Sequence, residues 1–289
     1  MRAKNTEIHQ KKILNVNGGQ LDFSVPKVMG IINLTPDSFY QPKWKDFGYL
    51  PAENQILIQA EKMLDEGADL LDLGAYSSRP NAERLSVQEE INRLLGPLRV
   101  IKKTFPAAII SVDTFRSDVA RAAIGEGAAL INDISAGQLD SKMFETIASL
   151  NVPYILMHMK GTPQTMQQLV QYENVFDEVY FYFTERLAKL KSLGINELII
   201  DPGFGFAKTT EQNYVLLDKL DQFKSLGLPL LAGLSRKSMV YKTLETDAEG
   251  ALNGTVSANT IALMKGASIL RVHDVKPAID AIKIVQQLD

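Results

Sequence analysis

Short apolar runs alternate with amphipathic helical patterns from Val28 to the end of the chain. Each run is bounded by polar or glycine residues, which is typical of buried parallel strands, and a helical period follows it. The eight predicted strands cover residues 28–34, 69–75, 108–114, 129–135, 154–159, 197–203, 229–235 and 268–274.

Glycines mark the turns at which predicted helices end and the next strands begin. Glycine is the natural residue at a left-handed helix C-terminus, so its recurrence there indicates one βα unit used repeatedly. Three of these glycines are followed by alanine and two are not: Gly67, Gly127, Gly266, and then Gly194 and Gly227.

One predicted helix carries two opposing local signals. Ser86 and Glu89 have the spacing of a capping box and predict its beginning. Pro97 lies within the same helical period, where it predicts a kink or a break.

Eight βα units in 289 residues predict a single closed (β/α)8 TIM barrel, an α/β fold, over residues 28–289. An open doubly wound sheet is the alternative. The chain has no GxGxxG after its first predicted strand and no GxxxxGK[ST], so the usual nucleotide-binding fingerprints are missing. Residues 1–27 are predicted as an N-terminal β-hairpin extension that covers one end of the barrel, because apolar runs flank Asn17-Gly18-Gly19-Gln20.

Composition narrows the classes of function. Lysine and arginine total 31 against 34 aspartates and glutamates, so no basic field favours nucleic acid or an acidic membrane surface. The absence of cysteine excludes disulfides, thiolate catalysis and cysteine-bound metals. No apolar run approaches the roughly 18 residues of a membrane span, and the polar start is unlike a secretory signal. These observations favour a cytoplasmic enzyme with small-molecule substrates.

Polar side chains recur where the predicted strands end. A single polar residue there is equally consistent with a turn or a helix cap, and His158 is interpreted as a packed histidine bonded to backbone. As a set they point to a site, because the carboxyl ends of barrel strands meet at one mouth. The set is Asn33, Asp72, Asp113, Asn132, Asp133, His158, Asp201, Ser235, Lys237, Arg271 and His273.

The residue types in this set suit a neutral amino-heterocycle. Asp113 and Asp201 can accept hydrogen bonds from a planar donor edge formed by an amino group beside a ring N–H. Asn132 both donates and accepts, and Lys237 can donate to a ring carbonyl or nitrogen. Asn132 and Asp133 are consecutive in a strand, so only one of them can face the mouth.

The remaining polar residues suggest an anion clamp without a nucleophile. Arg79, Arg271 and His273 together suit an oxyanion or a diphosphate, and Asn33 could bind a Mg²⁺ that accompanies it. The three histidines have no serine or aspartate at the spacing of a triad. We therefore expect chemistry by positioning and leaving-group stabilisation.

Several motifs, in order along the chain, resemble those of the dihydropteroate synthase family. They are MGIINLTPDSF (29–39), SRP (78–80), SVDT (111–114), IND (131–133), MHMKGTP (157–163), DPGFGF (201–206), SRK (235–237) and RVHD (271–274). The resemblance implies a (β/α)8 barrel, usually a homodimer, that acts in folate biosynthesis as an alkyl (pterin-methyl) transferase. The implied reaction joins 4-aminobenzoate to (7,8-dihydropterin-6-yl)methyl diphosphate in an SN1-like step, with Mg²⁺ as cofactor.

The same resemblance implies roles for individual residues. Lys237, Arg79 and Arg271 are the expected catalytic residues, and Asn33 is the expected metal ligand. The pterin would contact Asp113, Asn132, Met157, Asp201, Phe206, Lys237 and Arg271. The diphosphate would contact Asn33, Ser78, Arg79, Arg271 and His273. The aminobenzoate would contact Phe39, Ser78, Arg79, Pro80, Phe206, Ser235 and Lys237.

The departures from the family pattern lie in two loops. The first continues as YQPKW (40–44) where the family often has glycines, and the second reads GAYSSRPN where the family has a sequence close to GESTRPG. Tyr76 stands in place of an acid and Asn81 in place of a glycine. Two other functions stay open at this point. They are a pterin-binding methyltransferase of the methyltetrahydrofolate–corrinoid type and a barrel that binds pterin without catalysis.

Overall fold

Parallel strands form a nearly closed barrel in the computed structural model, which describes residues 11–16, 19–34, 52–76 and 85–288. The first six barrel strands pair with their neighbours in chain order, and the eighth strand pairs with both the first and the seventh. A bridge between Ile200 and Leu230 spans the remaining gap between the sixth and seventh strands. The prediction of a barrel is therefore confirmed, and the open sheet is wrong. The eight barrel strands are β3 (Lys27–Asn33), β4 (Leu70–Gly74), β5 (Ile109–Asp113), β6 (Leu130–Asp133), β7 (Tyr154–Met157), β8 (Leu198–Asp201), β9 (Leu231–Ala232) and β10 (Ile269–Val272).

Helices surround the barrel, and their buried faces form the larger apolar core with the outward side chains of the strands. None of the helices in the described ranges is long and apolar enough to cross a membrane. The α-helices are α1 (Ala52–Asp65), α2 (Val87–Thr104), α3 (Ser117–Gly125), α4 (Met143–Leu150), α5 (Val175–Ser192), α6 (Thr210–Asp218), α7 (Ser238–Thr243), α8 (Leu252–Met264) and α9 (Val275–Val285). Short 3-10 segments lie at Met166–Gln168 and Leu220–Leu226.

The local signals in α2 have different outcomes. The capping box of Ser86 and Glu89 is present, as predicted. A break at Pro97 is wrong, because α2 continues through it to Thr104. Leu94 and Leu98 on either side of Pro97 are buried in the core, and their packing compensates for the backbone hydrogen bond that proline removes.

The glycine turns have the predicted conformation. The φ angles of Gly67, Gly127, Gly194, Gly227 and Gly266 are 100°, 96°, 79°, 73° and 93°. These values lie in the left-handed region, which residues with a Cβ avoid. The repeated βα unit inferred from these glycines is thus seen in the backbone.

An antiparallel hairpin of β1 (Ile13–Val16) and β2 (Gly19–Asp22) packs against one end of the barrel. Its apolar side chains, such as Leu14 and Leu21, lie in one cluster with inward residues near the beginnings of barrel strands, such as Leu70 and Ile199. Backbone and side-chain nitrogens of Asn15 both donate to Glu197 at 3.1 Å, which fixes the hairpin to the barrel. Because the hairpin covers the amino ends of the strands, a ligand must enter from the carboxyl ends.

Candidate active site

Arg271 lies at the centre of a buried charge cluster at the carboxyl end of the barrel. Its Nε is 2.6 Å from Asp72 Oδ2, and its Nη2 is 2.8 Å from Asp113 Oδ2. Asn132 donates through Nδ2 to Asp72 Oδ2 at 3.0 Å. These side chains come from β10, β4, β5 and β6, so the predicted convergence of strand tips is present.

Burial and charge act against each other within this cluster. Burial raises the pKa of Asp113 to about 7, with Arg271 opposing the shift and Asp72 adding to it. Burial alone would lower the pKa of Arg271, but Asp72 and Asp113 raise it above its usual value. Arg271 therefore stays cationic, and Asp113 titrates near neutral pH.

Asp201 and Lys237 form the second charged group of the mouth. Burial raises the pKa of Asp201, and the Lys237 ammonium opposes the shift. Burial also lowers the pKa of Lys237 to about 8 against the attraction of Asp201. Lys237 Nζ donates to the carbonyl of Phe204. The side chain of Lys237 passes close to Gly205, since a Cβ added to this glycine would lie 3.2 Å from Lys237 Cδ.

Ser235 and His273 contact each other through two hydrogen bonds. The backbone N–H of His273 donates to Ser235 Oγ at 3.2 Å, and this oxygen lies 3.0 Å from His273 Nδ1. Since Ser235 Oγ already accepts one hydrogen, its own hydroxyl can donate to Nδ1, which leaves the proton of the ring on Nε2. The residue as a whole is exposed, but desolvation of its ring, with help from Arg271, lowers the pKa of His273, so the ring is neutral at pH 7.

The consecutive residues Asn132 and Asp133 face opposite sides of β6, as predicted. Asp133 accepts from the backbone N–H of Ser135 at 2.7 Å and from the Tyr154 hydroxyl at 2.6 Å. Asn132 faces the mouth and contacts Asp72. Asp133 is therefore occupied in holding the loop after β6, and Asn132 is the residue available to a ligand.

An apolar cluster lies beside the charged groups. Met157 and Phe206 both belong to it, with Met159 and Met166. The Phe206 ring is half-buried, and its centre lies 4.9 Å from Lys237 Nζ. A flat ring bound at the mouth would thus have an apolar wall next to its hydrogen-bonding partners.

Two participants were not recognised in the sequence. The sequence marks Asp72 as a strand-tip residue without a role, yet it anchors both Arg271 and Asn132. No sequence signal singles out Lys208, whose Nζ lies 2.9 Å from Nδ1 of His158. His158 is buried as interpreted, and its Nδ1 contacts Lys208. Lys208 follows a glycine-rich loop without any periodic signal, and only the turn of the backbone at Ala207, with φ of 50°, brings it inward.

Some of the predicted site residues are not part of this geometry. Phe39, Ser78, Arg79 and Pro80 lie outside the described residues. Asn33 is half-buried at the end of β3, beside Gly74 of β4. Within the described ranges, no group of three or more His, Cys, Asp or Glu side chains could hold a metal ion.

Comparison with known proteins agrees with this site. Residues 29–273 match the family described as pterin binding enzyme. Dihydropteroate synthase of Haemophilus influenzae is 43% identical, covering 94% of this chain and 98% of its own, and that of Escherichia coli is 41% identical, covering 94% and 95%.

Solved structures give the same result. Dihydropteroate synthase of Xanthomonas albilineans with 4-aminobenzoic acid is 38% identical, with a TM-score of 0.88 over 96% of this chain and 98% of the other. The Yersinia pestis enzyme in a sulfonamide drug complex is 39% identical, with a TM-score of 0.89 and the same coverage. The chain therefore belongs to the pterin-binding enzyme family, and within it to the dihydropteroate synthases.

Proposed function

We propose that this chain condenses 4-aminobenzoate with (7,8-dihydropterin-6-yl)methyl diphosphate to give 7,8-dihydropteroate and diphosphate. The observation that carries the proposal is the convergence of two carboxylates, the half-buried Asp113 and the buried Asp201, with Arg271 and Lys237 at one mouth. A structure of the Xanthomonas albilineans relative contains 7,8-dihydropteroate, which supports the choice of product.

The carboxylates are proposed to hold the aminopyrimidinone of the pterin. Asp201 Oδ1 accepts from the Gly203 amide at 2.8 Å, and Asp113 Oδ2 accepts from Arg271. The second oxygen of each carboxylate can then accept from the amino group or a ring N–H of the ligand. Asn132 adds a donor and an acceptor, and Met157 and Phe206 supply the apolar wall.

Bond breaking is proposed to precede bond formation. The bond between the methylene carbon and the diphosphate oxygen breaks, and its electron pair leaves with diphosphate. Arg271 and the Nε2–H of His273 stabilise the departing anion, while Lys237 donates to the pterin. The amine of 4-aminobenzoate then attacks the methylene cation and loses a proton to solvent. Arg79 is proposed to assist from the second loop, where Ser78 and Pro80 would contact the aminobenzoate together with Phe39, Phe206, Ser235 and Lys237.

A magnesium ion is part of the proposal. The amide oxygen of Asn33 at the end of β3 suits a hard cation that keeps several waters and takes its other ligands from phosphate oxygens. When bound, Mg²⁺ would neutralise part of the charge of the leaving diphosphate.

Release of diphosphate from the purified protein tests the proposal. Mixing both substrates with Mg²⁺ should release diphosphate in step with dihydropteroate, and omitting 4-aminobenzoate should stop turnover. Pterin binding without diphosphate release would indicate a barrel that binds without catalysis. Methyl transfer from methyltetrahydrofolate to a corrinoid, with no diphosphate release, would indicate the methyltransferase.

A homodimer is proposed from the outer face of α8. Ile261 and Met264 lie one helical turn apart, and their side chains are 44% and 63% exposed although the opposite face of α8 is buried. An isologous contact would cover both. Light scattering should give twice the mass of one chain for the wild type, and Met264→Glu should reduce the measured mass to that of one chain.

The cytoplasmic location expected from the sequence stays a prediction.

A further inference from the structure

Lys208 lies just past the loop that follows β8, and its side chain turns back toward that loop. The residue is 6% exposed. Its Nζ donates to the carbonyls of Gly203 at 2.9 Å and Phe206 at 3.0 Å, and lies 2.9 Å from His158 Nδ1. A longer contact of 3.4 Å joins Nζ to the carbonyl of His158. Burial lowers the pKa of Lys208 well below its usual value, and even the neutral amine has two N–H groups for the carbonyls of Gly203 and Phe206.

The conformation of the loop makes this arrangement possible. Ala207 has a φ of 50°, a left-handed conformation that is strained for a residue with a Cβ. The strained turn reverses the direction of the chain, so Lys208 reaches the two ends of the preceding Gly203–Phe206 turn. The two hydrogen bonds from Lys208 to the carbonyls of Gly203 and Phe206 are a reason for the strain to persist.

Gly203 connects Lys208 to the substrate-binding carboxylate. Its carbonyl accepts from Lys208, and its N–H donates to Asp201 Oδ1 at 2.8 Å. Its φ is 72°, and an added Cβ would lie 2.1 Å from the carbonyl oxygen of His158. The backbone of Gly203 thus lies tightly against that of His158, with its carbonyl bound by Lys208 and its N–H bound to Asp201.

The same loop also carries the partner of Lys237. The carbonyl of Phe204, between the two carbonyls that Lys208 holds, accepts from Lys237 Nζ. Lys208 therefore contacts both ends of a turn whose middle carbonyl accepts from Lys237, a catalytic candidate, and whose first N–H donates to Asp201, the proposed pterin ligand. Lys208 itself does not reach the open mouth, since it is buried behind the loop.

We propose that Lys208 is a positioning residue that orients the Asp201 carboxylate for the pterin by holding the Gly203–Phe206 turn. The inference rests on the proposed function, because it assigns Asp201 to the pterin. It adds a residue that touches neither substrate and acts through the peptide of Gly203.

The test compares three variants with the wild type. Lys208→Met keeps the length of the side chain and removes its donors, and Lys208→Gln keeps two N–H donors on a shorter side chain. Lys103→Met is the matched control, because Lys103 is exposed in the last turn of α2. Calorimetry measures the dissociation constants of 6-hydroxymethyl-7,8-dihydropterin and, separately, of diphosphate with Mg²⁺.

We expect Lys208→Met to weaken pterin binding at least tenfold and to change diphosphate binding less than twofold. Lys208→Gln should lie between this variant and the wild type, and Lys103→Met should match the wild type. An equal loss of both ligands, or an unchanged pterin constant, would overturn the inference, as would failure of both Lys208 variants to fold. Absence of pterin binding by the wild type would instead contradict the proposed function.

Discussion

Asp201→Asn removes the charge of one carboxylate while keeping its shape. In the wild type, Oδ1 accepts from the Gly203 amide at 2.8 Å, so Oδ2 is the atom proposed to face the pterin. An asparagine can keep its oxygen on the Gly203 amide only by turning its NH₂ toward the ligand. Two donors would then face each other where a charged acceptor had faced a donor.

The expected loss follows from the hydrogen bond that is removed. A hydrogen bond to a charged group contributes about 1.5–3 kcal/mol, so the dissociation constant of the pterin should rise about 10- to 100-fold. Calorimetry at pH 8 with 6-hydroxymethyl-7,8-dihydropterin measures it directly. Asp221→Asn is the control, because Asp221 is exposed.

Stability separates loss of binding from loss of fold. Burial raises the pKa of Asp201, so the folded protein binds this proton more readily than the unfolded chain does. Ionised Asp201 therefore lowers the free energy of unfolding at pH 8, and this cost disappears as the pH falls toward 4. Asp201→Asn should be at least as stable as the wild type at pH 8 in urea unfolding. A pterin constant within twofold of the wild type would refute the assignment of Asp201 to the pterin.

Three further predictions test other parts of the site. Burial raises the pKa of Asp113 to about 7, so the affinity for the pterin should fall as the pH is lowered from 8 to 6. Asp113→Asn should remove this pH dependence, and a flat profile for the wild type would contradict the role of Asp113. Ser235→Ala removes the bond to His273 Nδ1, so calorimetry should show diphosphate affinity about two- to tenfold lower, with the affinity for 6-hydroxymethyl-7,8-dihydropterin unchanged. Arg116→Met leaves Glu90, 1% exposed, without its ionic partner and should cost about 3–5 kcal/mol in urea unfolding, whereas the wild-type midpoint would show that the pair is unimportant.

The barrel and its strand tips could be predicted because they depend on local pattern. Burial of both faces of a parallel strand leaves a continuous apolar run, and the first polar residue after it marks the mouth. Asp113, Asn132 and Asp201 were found in this way. Alternation then separated Asn132 from Asp133, since consecutive residues in a strand face opposite sides.

The contacts that orient these tips could not be predicted because they depend on loop backbone. The hydroxyl of Ser235 contacts His273, 38 residues along the chain, and no sequence pattern pairs these two residues. Arg236, between Ser235 and Lys237, has a φ of 55° and is paired with Asp274 at 2.8 Å. Left-handed conformations at residues other than glycine leave no compositional signal, so the pairings that follow from them appear only in the folded chain.

The charges at the mouth indicate how this site selects its ligand. Burial raises the pKa of Asp113 and Asp201 and lowers that of Lys237, so in each case the fold disfavours the charged form. The opposite charges offset the cost of burial only in part, because each carboxylate has one oxygen that accepts from the protein and a second oxygen available to a ligand. A pterin edge that donates two hydrogen bonds would stabilise the ionised carboxylates and thereby raise the stability of the whole barrel. If the proposed contacts form, a heterocycle that lacks the amino group would leave a charged carboxylate unsatisfied, and this penalty would give the site its specificity.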